Sequence, residues 1–413
     1  MRAANSNECA AAVTRRGLMV GASMALLGWA TRRSALAQVA VGPKVGGREG
    51  NVLVVVFLRG GADGLSLLVP HGDEAYYRLR PNLSVPRRRL HDLDGFFGLH
   101  PSLAALVPLY QEGSLAAVHA VGSDDQTRSH FEAMDTMERG LARRDGPQSG
   151  WVARYLSATE PEDPSPLRAV ALSHTTPTSL VGASHATTLE SLADYRLDAP
   201  TPALAALESL YLPGHDAVAA AGRETFAVLR SLDRVDARNY RPEHSATYPE
   251  SDLGTGLRQV ACLVRADLGM EVACLDKGGW DSHVAQGAEV GLVPLQLDDL
   301  GRSLAAFAQD LGPEMRRVTV LVMSEFGRRI AENAGLGTDH GHGGAMYVIG
   351  AGVRGGSVHA RWPGLDHPIG PGDLNVTTDY RDVLAEALRA RMGLADSSAV
   401  FPAHSASLLG LIA

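Results

Sequence analysis

The sequence predicts an α/β fold, a doubly wound and mostly parallel sheet flanked by helices, on three observations. Apolar, β-branched runs recur without the polar alternation of half-exposed strands, as expected of strands covered on both faces: 51–58 (NVLVVVFL), 115–121, 271–275, 318–323 and 345–350. Between several of them lie segments with leucines and alanines at three- and four-residue spacing, the mark of amphipathic helices. Carboxylates and histidines gather just after the strand-like runs, and open α/β sheets bind ligands outside the carboxyl ends of their strands.

Taken in order, the chain begins with Thr14-Arg15-Arg16-Gly17-Leu18-Met19, which looks like a twin-arginine export motif. The apolar stretch 18–30 after it is too short to span a bilayer comfortably, and Ala35-Leu36-Ala37 has the small-x-small pattern of a signal-peptidase site. An uncleaved anchor is the alternative, because Arg32 and Arg33 stand just before that site. The expected division is a signal peptide at 1–37, a glycine-rich linker at 38–50 and one α/β domain at 51–413. Strand 51–58 ends in the loop RGGADG. Residues 101–112 carry Leu103, Leu106, Val107 and Tyr110 at helical spacing, with Pro101 suited to a first turn and Gly113 to a stop. Strand 115–121 and a helix at 131–139 follow. Proline- and charge-rich segments at 157–167 and 238–252 read as surface loops, with helices at 201–212 and 215–235 between them. An amphipathic helix at 254–269 feeds strand 271–275, and another at 295–311 feeds strand 318–323. A last helix at 377–392 opens on Thr/Asp and ends at Gly393.

Composition narrows the partners. Aromatic residues are only 5% of the chain, too few for long base-stacking platforms. The formal charge of −8 includes five arginines and one glutamate in 1–37, so their removal leaves −8 − 4 = −12. An acidic chain repels phosphate backbones, which excludes nucleic acid as the expected partner. With the signal removed, no stable membrane span is expected. Cys262 and Cys274 both lie in apolar runs (VACLV, EVACL), and they read as buried thiols, although an oxidising compartment would permit a disulfide.

Four strand ends carry candidate chemistry. Asp63 follows the first strand, in what could equally be a plain Asp-Gly turn. Thr127-Arg128-Ser129-His130 follows strand 115–121 at a helix start, where Ser129 or Thr127 could cap the helix, act as a nucleophile, or both. Asp276 and then Gly279-Trp280-Asp281-Ser282-His283 follow strand 271–275, and Asp281 and His283 could face one ion. Ser324-Glu325-Phe326-Gly327-Arg328 follows strand 318–323, where Arg328 could clamp an oxyanion or form an ordinary salt bridge. The glycine-rich turn GTDHGHGG then presents Asp339, His340 and His342 ahead of the last strand. Imidazole with carboxylate suits a borderline divalent ion such as zinc or manganese.

This ordered set resembles the alkaline-phosphatase-like superfamily, which includes sulfatases, phosphopentomutase and cofactor-independent phosphoglycerate mutase. The resemblance implies a metal-binding role for Asp63 and a nucleophile around 127–129. HPSLAALVPLYQEG at 100–113 is similar to the family's TPNLDxLAxxG helix, and Asp281-Ser282-His283 stands where a D-x-x-x-H element is expected. VLVMSEFG is similar to a strand ending in S-D-H-G, with Glu325 in place of the aspartate and Phe326 in place of a metal-binding histidine. HGHGGAMYVIGAGVRGG carries a metal histidine onto His340 or His342. More closely, RGGADGLSLLVP, TRSHF, GGWDSH, SEFGRR and GTDHGHGG together resemble the exported bacterial family called domain of unknown function 1501.

The expected protein is a periplasmic or otherwise exported hydrolase that uses a divalent metal, zinc, manganese or calcium, on a phosphate or sulfate ester of a small molecule or glycan. Asp63, Asp281, His283, Glu325, Asp339, His340 and His342 form the candidate ligand set, Ser129 or Thr127 the nucleophile, and Arg328 the charge clamp. The twin-arginine export machinery is the one expected protein partner. A catalytically silent binding or assembly protein on the same scaffold is the alternative, and a metal-free serine hydrolase lacks a G-x-S-x-G elbow after any strand.

Overall fold

Strand β1 (Val52–Leu58) is buried along its whole length and lies inside a nine-stranded sheet. The computed structural model describes residues 50–413; the expected signal peptide at 1–37 and the expected linker up to residue 49 lie outside the described residues. A short helix α1 (Gly64–Leu67) follows β1, then a small three-stranded sheet of β2 (Leu68–Val69), β3 (His91–Asp92) and β4 (Gly98–Leu99), with helix α2 (Glu74–Leu79) after β2. The main sheet continues with β5 (Leu115–Gly122), β6 (Ala169–Leu172), β7 (Ala186–Leu189), β8 (Val272–Lys277), β9 (Val318–Ser324), β10 (Gly344–Gly350), β11 (Ser357–His359) and β12 (Thr378–Asp379). Its order is β11–β5–β10–β9–β1–β8–β6–β7, with β12 beside the end of β5.

All pairings in this sheet are parallel except those of β10, which runs antiparallel to both β5 and β9. The sheet is therefore mostly parallel, as the sequence predicts. The reversal has a direct effect on the site: the loop entering β10 lies at the same edge as the ends of β1, β5, β8 and β9.

Alternate residues of β1 divide between two cores. Val52, Val54, Val56 and Leu58 pack with helices α8 (Asp252–Ala266) and α9 (Leu292–Leu311) on one face. Leu53, Val55 and Phe57 pack with α5 (Trp151–Ala158) and α10 (Tyr380–Arg391) on the other. That period of two, with both sets buried, makes the sheet doubly wound.

The expected helix at 101–112 is broken. A 3-10 segment, Pro101–Leu106, gives way to α3 (Val107–Gln111), because Pro108 has no N–H to continue an i→i−4 ladder. The expected helix at 377–392 yields its first residues to β12, and Asp379 caps α10 by accepting from Arg381 N. Helix α4 (His130–Glu138) starts after Ser129, and α6 (Thr201–Ser209) and α7 (Ala217–Leu232) complete the middle of the chain. Cys262 and Cys274 are buried free thiols, and burial pushes them up to about 11 and about 12. Among the described residues, no helix is long and apolar enough to cross a membrane.

Candidate metal centre

Three loops build the centre at the edge where β5, β8 and β9 end. The loop after β8 is anchored by Trp280, which is fully buried, and turns tightly through Ser282 N–H to Trp280 O, 2.8 Å. The two segments between β9 and β10 pair like a hairpin: Gly341 N–H meets Gly327 O at 2.9 Å, Gly327 N–H meets His342 O at 2.8 Å and Arg329 N–H meets Asp339 O at 3.0 Å. That pairing sets His340 opposite Arg328. It needs glycine at 341, where a Cβ would lie 2.3 Å from the Arg328 carbonyl carbon. Gly60, at φ +119°, lets the loop after β1 close on Asp281, whose backbone nitrogen would meet a Cβ there at 2.7 Å.

Four ligand-type atoms converge. His283 Nε2 lies 3.0 Å and His340 Nε2 3.1 Å from Asp281 Oδ1, and the two imidazole nitrogens are 2.9 Å apart. His130 joins with Nε2 3.5 Å from Asp281 Oδ1, and the ligand atoms of His130, Asp281 and His340 all lie within 4.8 Å of one another. His283 reaches the group through Asp281 and His340.

The opposite nitrogen of each ring is held. His340 Nδ1 meets the Arg128 carbonyl at 2.7 Å, His130 Nδ1 meets Glu325 Oε1 at 2.7 Å, and His283 Nδ1 meets Asp339 Oδ1 at 3.3 Å. A carbonyl or ionised carboxylate only accepts, so each Nδ1 carries a proton, and in its neutral form each ring turns its Nε2 lone pair inward. Three lone pairs and a carboxylate oxygen thus face one another, and the buried His130 Nε2 has no hydrogen-bond partner. A proton or a cation relieves that arrangement. Burial holds His340 below the usual imidazole range, which disfavours the proton. A histidine fixed through its other nitrogen by a carboxylate or carbonyl is what metal ligation requires, so the residues fit a borderline divalent ion.

Hydrogen bonds and burial set the charges around the centre. Burial works to raise Asp281, but the guanidinium of Arg328, which donates to it, outweighs burial and holds the carboxyl well below its ordinary value. The hydrogen bond to Glu325 raises His130. Glu325 is buried, which alone would raise it; the bonds from His130 and from the amides of Gly60 and Gly61, 2.9 and 3.0 Å, bring it below the ordinary range. Asp339 is lowered, chiefly by its hydrogen bond from Asn333.

Of the residues singled out in the sequence, Asp281, His283 and His340 come together at the centre. Glu325 and Asp339 stand one layer back, each holding a histidine. Arg328 also lies behind: its side chain is fully buried, Nη2 donates to Asp281 Oδ1 at 2.8 Å, and its other donors meet the carbonyls of Gly60, Gly61, Trp280 and Thr338. It orients Asp281 and faces no open space. Asp63 is sealed in a pair with Arg80. His342 turns away, Nε2 to the Ser123 carbonyl at 2.7 Å. Thr127 Oγ1 is engaged with Glu132 Oε2 at 2.9 Å, whereas the hydroxyl of Ser129, at the head of α4, makes no capping bond. Sequence reasoning passed over His130. Its signal was present: an imidazole at the first helical residue after a strand end, inside the TRSHF segment already under consideration for its hydroxyls.

A model of the family described as "Protein of unknown function (DUF1501)" matches residues 51–404. Among curated proteins none matches the chain. Solved structures similar to it include the lipoteichoic acid synthase LtaP from Listeria monocytogenes, 9% identical over 75% of this chain and 68% of that one, with TM-score 0.32. The PsFucS1 sulfatase from Pseudoalteromonas sp. is 11% identical over 82% and 67%, TM-score 0.31. The phosphonate monoester hydrolase of Agrobacterium radiobacter is 13% identical over 83% and 74%, TM-score 0.33. Likenesses this slight leave the functional reading to the chemistry of the centre itself.

Proposed function

The chain belongs to the DUF1501 family, whose description assigns no reaction, and from the chemistry of its own site we propose an exported, metal-dependent hydrolase of phosphate or sulfate esters. One observation carries the reading: the inward lone pairs of His130, His283 and His340 around Asp281 Oδ1, with His130 Nε2 buried and unpartnered. These four residues would hold the ion. When bound, a divalent ion there supplies Lewis acidity to an ester oxygen and to a nucleophile.

The chain's own residues do the rest. Arg328 and the ring partners Glu325, Asp339 and the Arg128 carbonyl hold the four ligands in register. Ser129 stands between Arg128 and His130, at the N-terminus of α4, where the helix dipole favours a transferred anionic group. We assign it the attack, ahead of Thr127, whose hydroxyl is occupied. The side chain of Asp281 is about half exposed, at 49%, so an ester can reach the centre from solvent. Phe131 (85% exposed) and Val284 (64%) directly follow His130 and His283, which favours esters with apolar or aryl alcohol portions. Export through the twin-arginine route is part of the proposal and rests on Arg15 and Arg16; a twin-lysine variant that still reaches the periplasm by that route would refute it.

The test is elemental analysis of protein purified without chelators, followed by turnover of aryl phosphates and aryl sulfates. Ser129→Ala should keep its metal and lose hydrolysis. Full activity in the Ser129→Ala/Thr127→Ala protein would refute covalent attack and point to attack by water. A second reading, a metal-holding binding or assembly protein without turnover, is favoured by one feature: Arg328, the cation expected to offset an oxyanion, is fully buried and committed to other partners. Metal-loaded wild type that is inert on the whole ester panel would establish it over the first.

A further inference from the structure

Two carboxylates that follow strand ends, Asp63 and Glu325, are committed to other partners, Asp63 through both oxygens and Glu325 through Oε1. Arg80 grips Asp63 through Nη1–Oδ2 at 2.5 Å and Nη2–Oδ1 at 3.0 Å, with both side chains fully buried. Ser66 Oγ at 2.6 Å, Gln286 Nε2 at 2.8 Å and Leu65 N at 3.3 Å complete the set. These donors fill the roughly four lone-pair sites of a carboxylate. Arg80 is itself tied down, with Nε to the Ile330 carbonyl at 2.7 Å and Nη2 to the Arg329 carbonyl at 2.9 Å. Glu325 Oε1 accepts from Gly60 N, Gly61 N and His130 Nδ1, and Ser324 Oγ lies 2.9 Å from its Oε2. Between these groups the buried ring of Phe326 packs against His130 and His340, centroids 4.9 and 5.1 Å apart, and so close to Gly61 that a Cβ there would meet it at 2.5 Å.

A buried ionised carboxylate needs a counter-charge, and a guanidinium supplies one that never deprotonates and needs no metal supply. Resting on the metal reading above, we infer that the centre is mononuclear, with one ion among His130, Asp281, His283 and His340, and with Arg80 as the permanent cation of Asp63. Three nitrogens and one oxygen suit a borderline ion such as zinc. Calcium takes six to eight oxygens, of which Asp281 is the one ligand here to supply any.

Zinc titration of chelator-stripped wild-type protein, read by elemental analysis and calorimetry, should give one tight equivalent per chain, and X-ray absorption should show no metal–metal vector near the roughly 3.5–4 Å of paired-ion sites. Two tight equivalents, or such a vector, would overturn the inference and leave the metal reading standing. No tight equivalent would sink the metal reading and this inference with it. Asp63→Asn/Arg80→Met, which removes both buried charges together, should bind one zinc within about threefold of the wild-type affinity, whereas His283→Ala should weaken binding by about tenfold or more. Loss of zinc from the folded double variant would also overturn the inference. If that variant does not fold, the wild-type stoichiometry decides alone.

Discussion

Glu325→Gln tests how the centre is tuned. Glutamine keeps an acceptor oxygen in place for His130 Nδ1 and the amides of Gly60 and Gly61, so the loop after β1 stays closed. What it removes is the charge. The 2.7 Å bond to His130 changes from a charge-assisted bond, about 1.5–3 kcal/mol, to a neutral one, about 0.5–1.5 kcal/mol. A difference of about 1.4 kcal/mol is tenfold in a binding constant, at the lower end of the roughly 10–100-fold that partners of ligating histidines contribute. Zinc affinity, measured by competition with a chromophoric chelator at neutral pH, should therefore fall about tenfold, with the circular dichroism spectrum unchanged. Glu325→Ala should approach a hundredfold and also lose stability, because two buried amides lose their acceptor at about 1–3 kcal/mol each. A folded Gln variant with wild-type zinc affinity would refute the role of His130 as a ligand polarised by Glu325.

Three further outcomes are expected. His119 is neutral in the fold, with Nε2–H on the Leu68 carbonyl and Nδ1 accepting from Ala120 N–H, and burial pushes it down to about 4. The unfolded ring takes its proton near pH 6.5, so stability is complete above that pH and falls as pH drops toward 4; between pH 7 and 5 urea denaturation should show about 2 kcal/mol more loss in wild type than in His119→Gln, and equal slopes would refute it. Gly60→Ala, at φ +119° and against Asp281 N, should cost more than about 1 kcal/mol and weaken zinc binding; a thermal melt matching wild type would contradict the close approach. Arg328→Ala should destabilise by about 2 kcal/mol or more in denaturant, since it leaves the buried carbonyls of Gly61, Trp280 and Thr338 without their donor, and a change under about 1 kcal/mol would show that the brace is dispensable.

The central strands were legible because burial on both faces leaves an unbroken apolar run, as in β1, β9 and β10. Strands β6 (AVAL) and β7 (ATTL) were not read, being four residues each, with β7 only half buried. The turn of eight residues in α5 was missed for the same reason of length. Asp281, His283 and His340 were visible as ligand types at strand ends. The fate of Asp63 was not, because nothing local distinguishes Arg80 from Arg78, Arg87, Arg88 or Arg89, and only the tertiary fold brings Arg80 to the Ile330 carbonyl. The reversal of β10 was equally silent, since a fully buried strand reads alike in either direction.

That reversal bears on the order of assembly. Because β9 and β10 are antiparallel neighbours, the segments carrying Arg328 and His340 can pair locally, with a short loop between them. Asp281 lies 59 residues from His340, and Arg128 and His130 must be brought across 212 and 195 residues to meet His340 and Glu325. Loop closure on that scale is slow to be rewarded, so of the four ligands only His340 rides on the locally paired segments, while Asp281 and His283 after β8 and His130 on α4 depend on long-range docking. If the centre binds zinc as proposed, that binding would report completed folding: a chain with its hairpin paired but α4 undocked would retain His340 and lack His130, and would release the ion faster than the native protein.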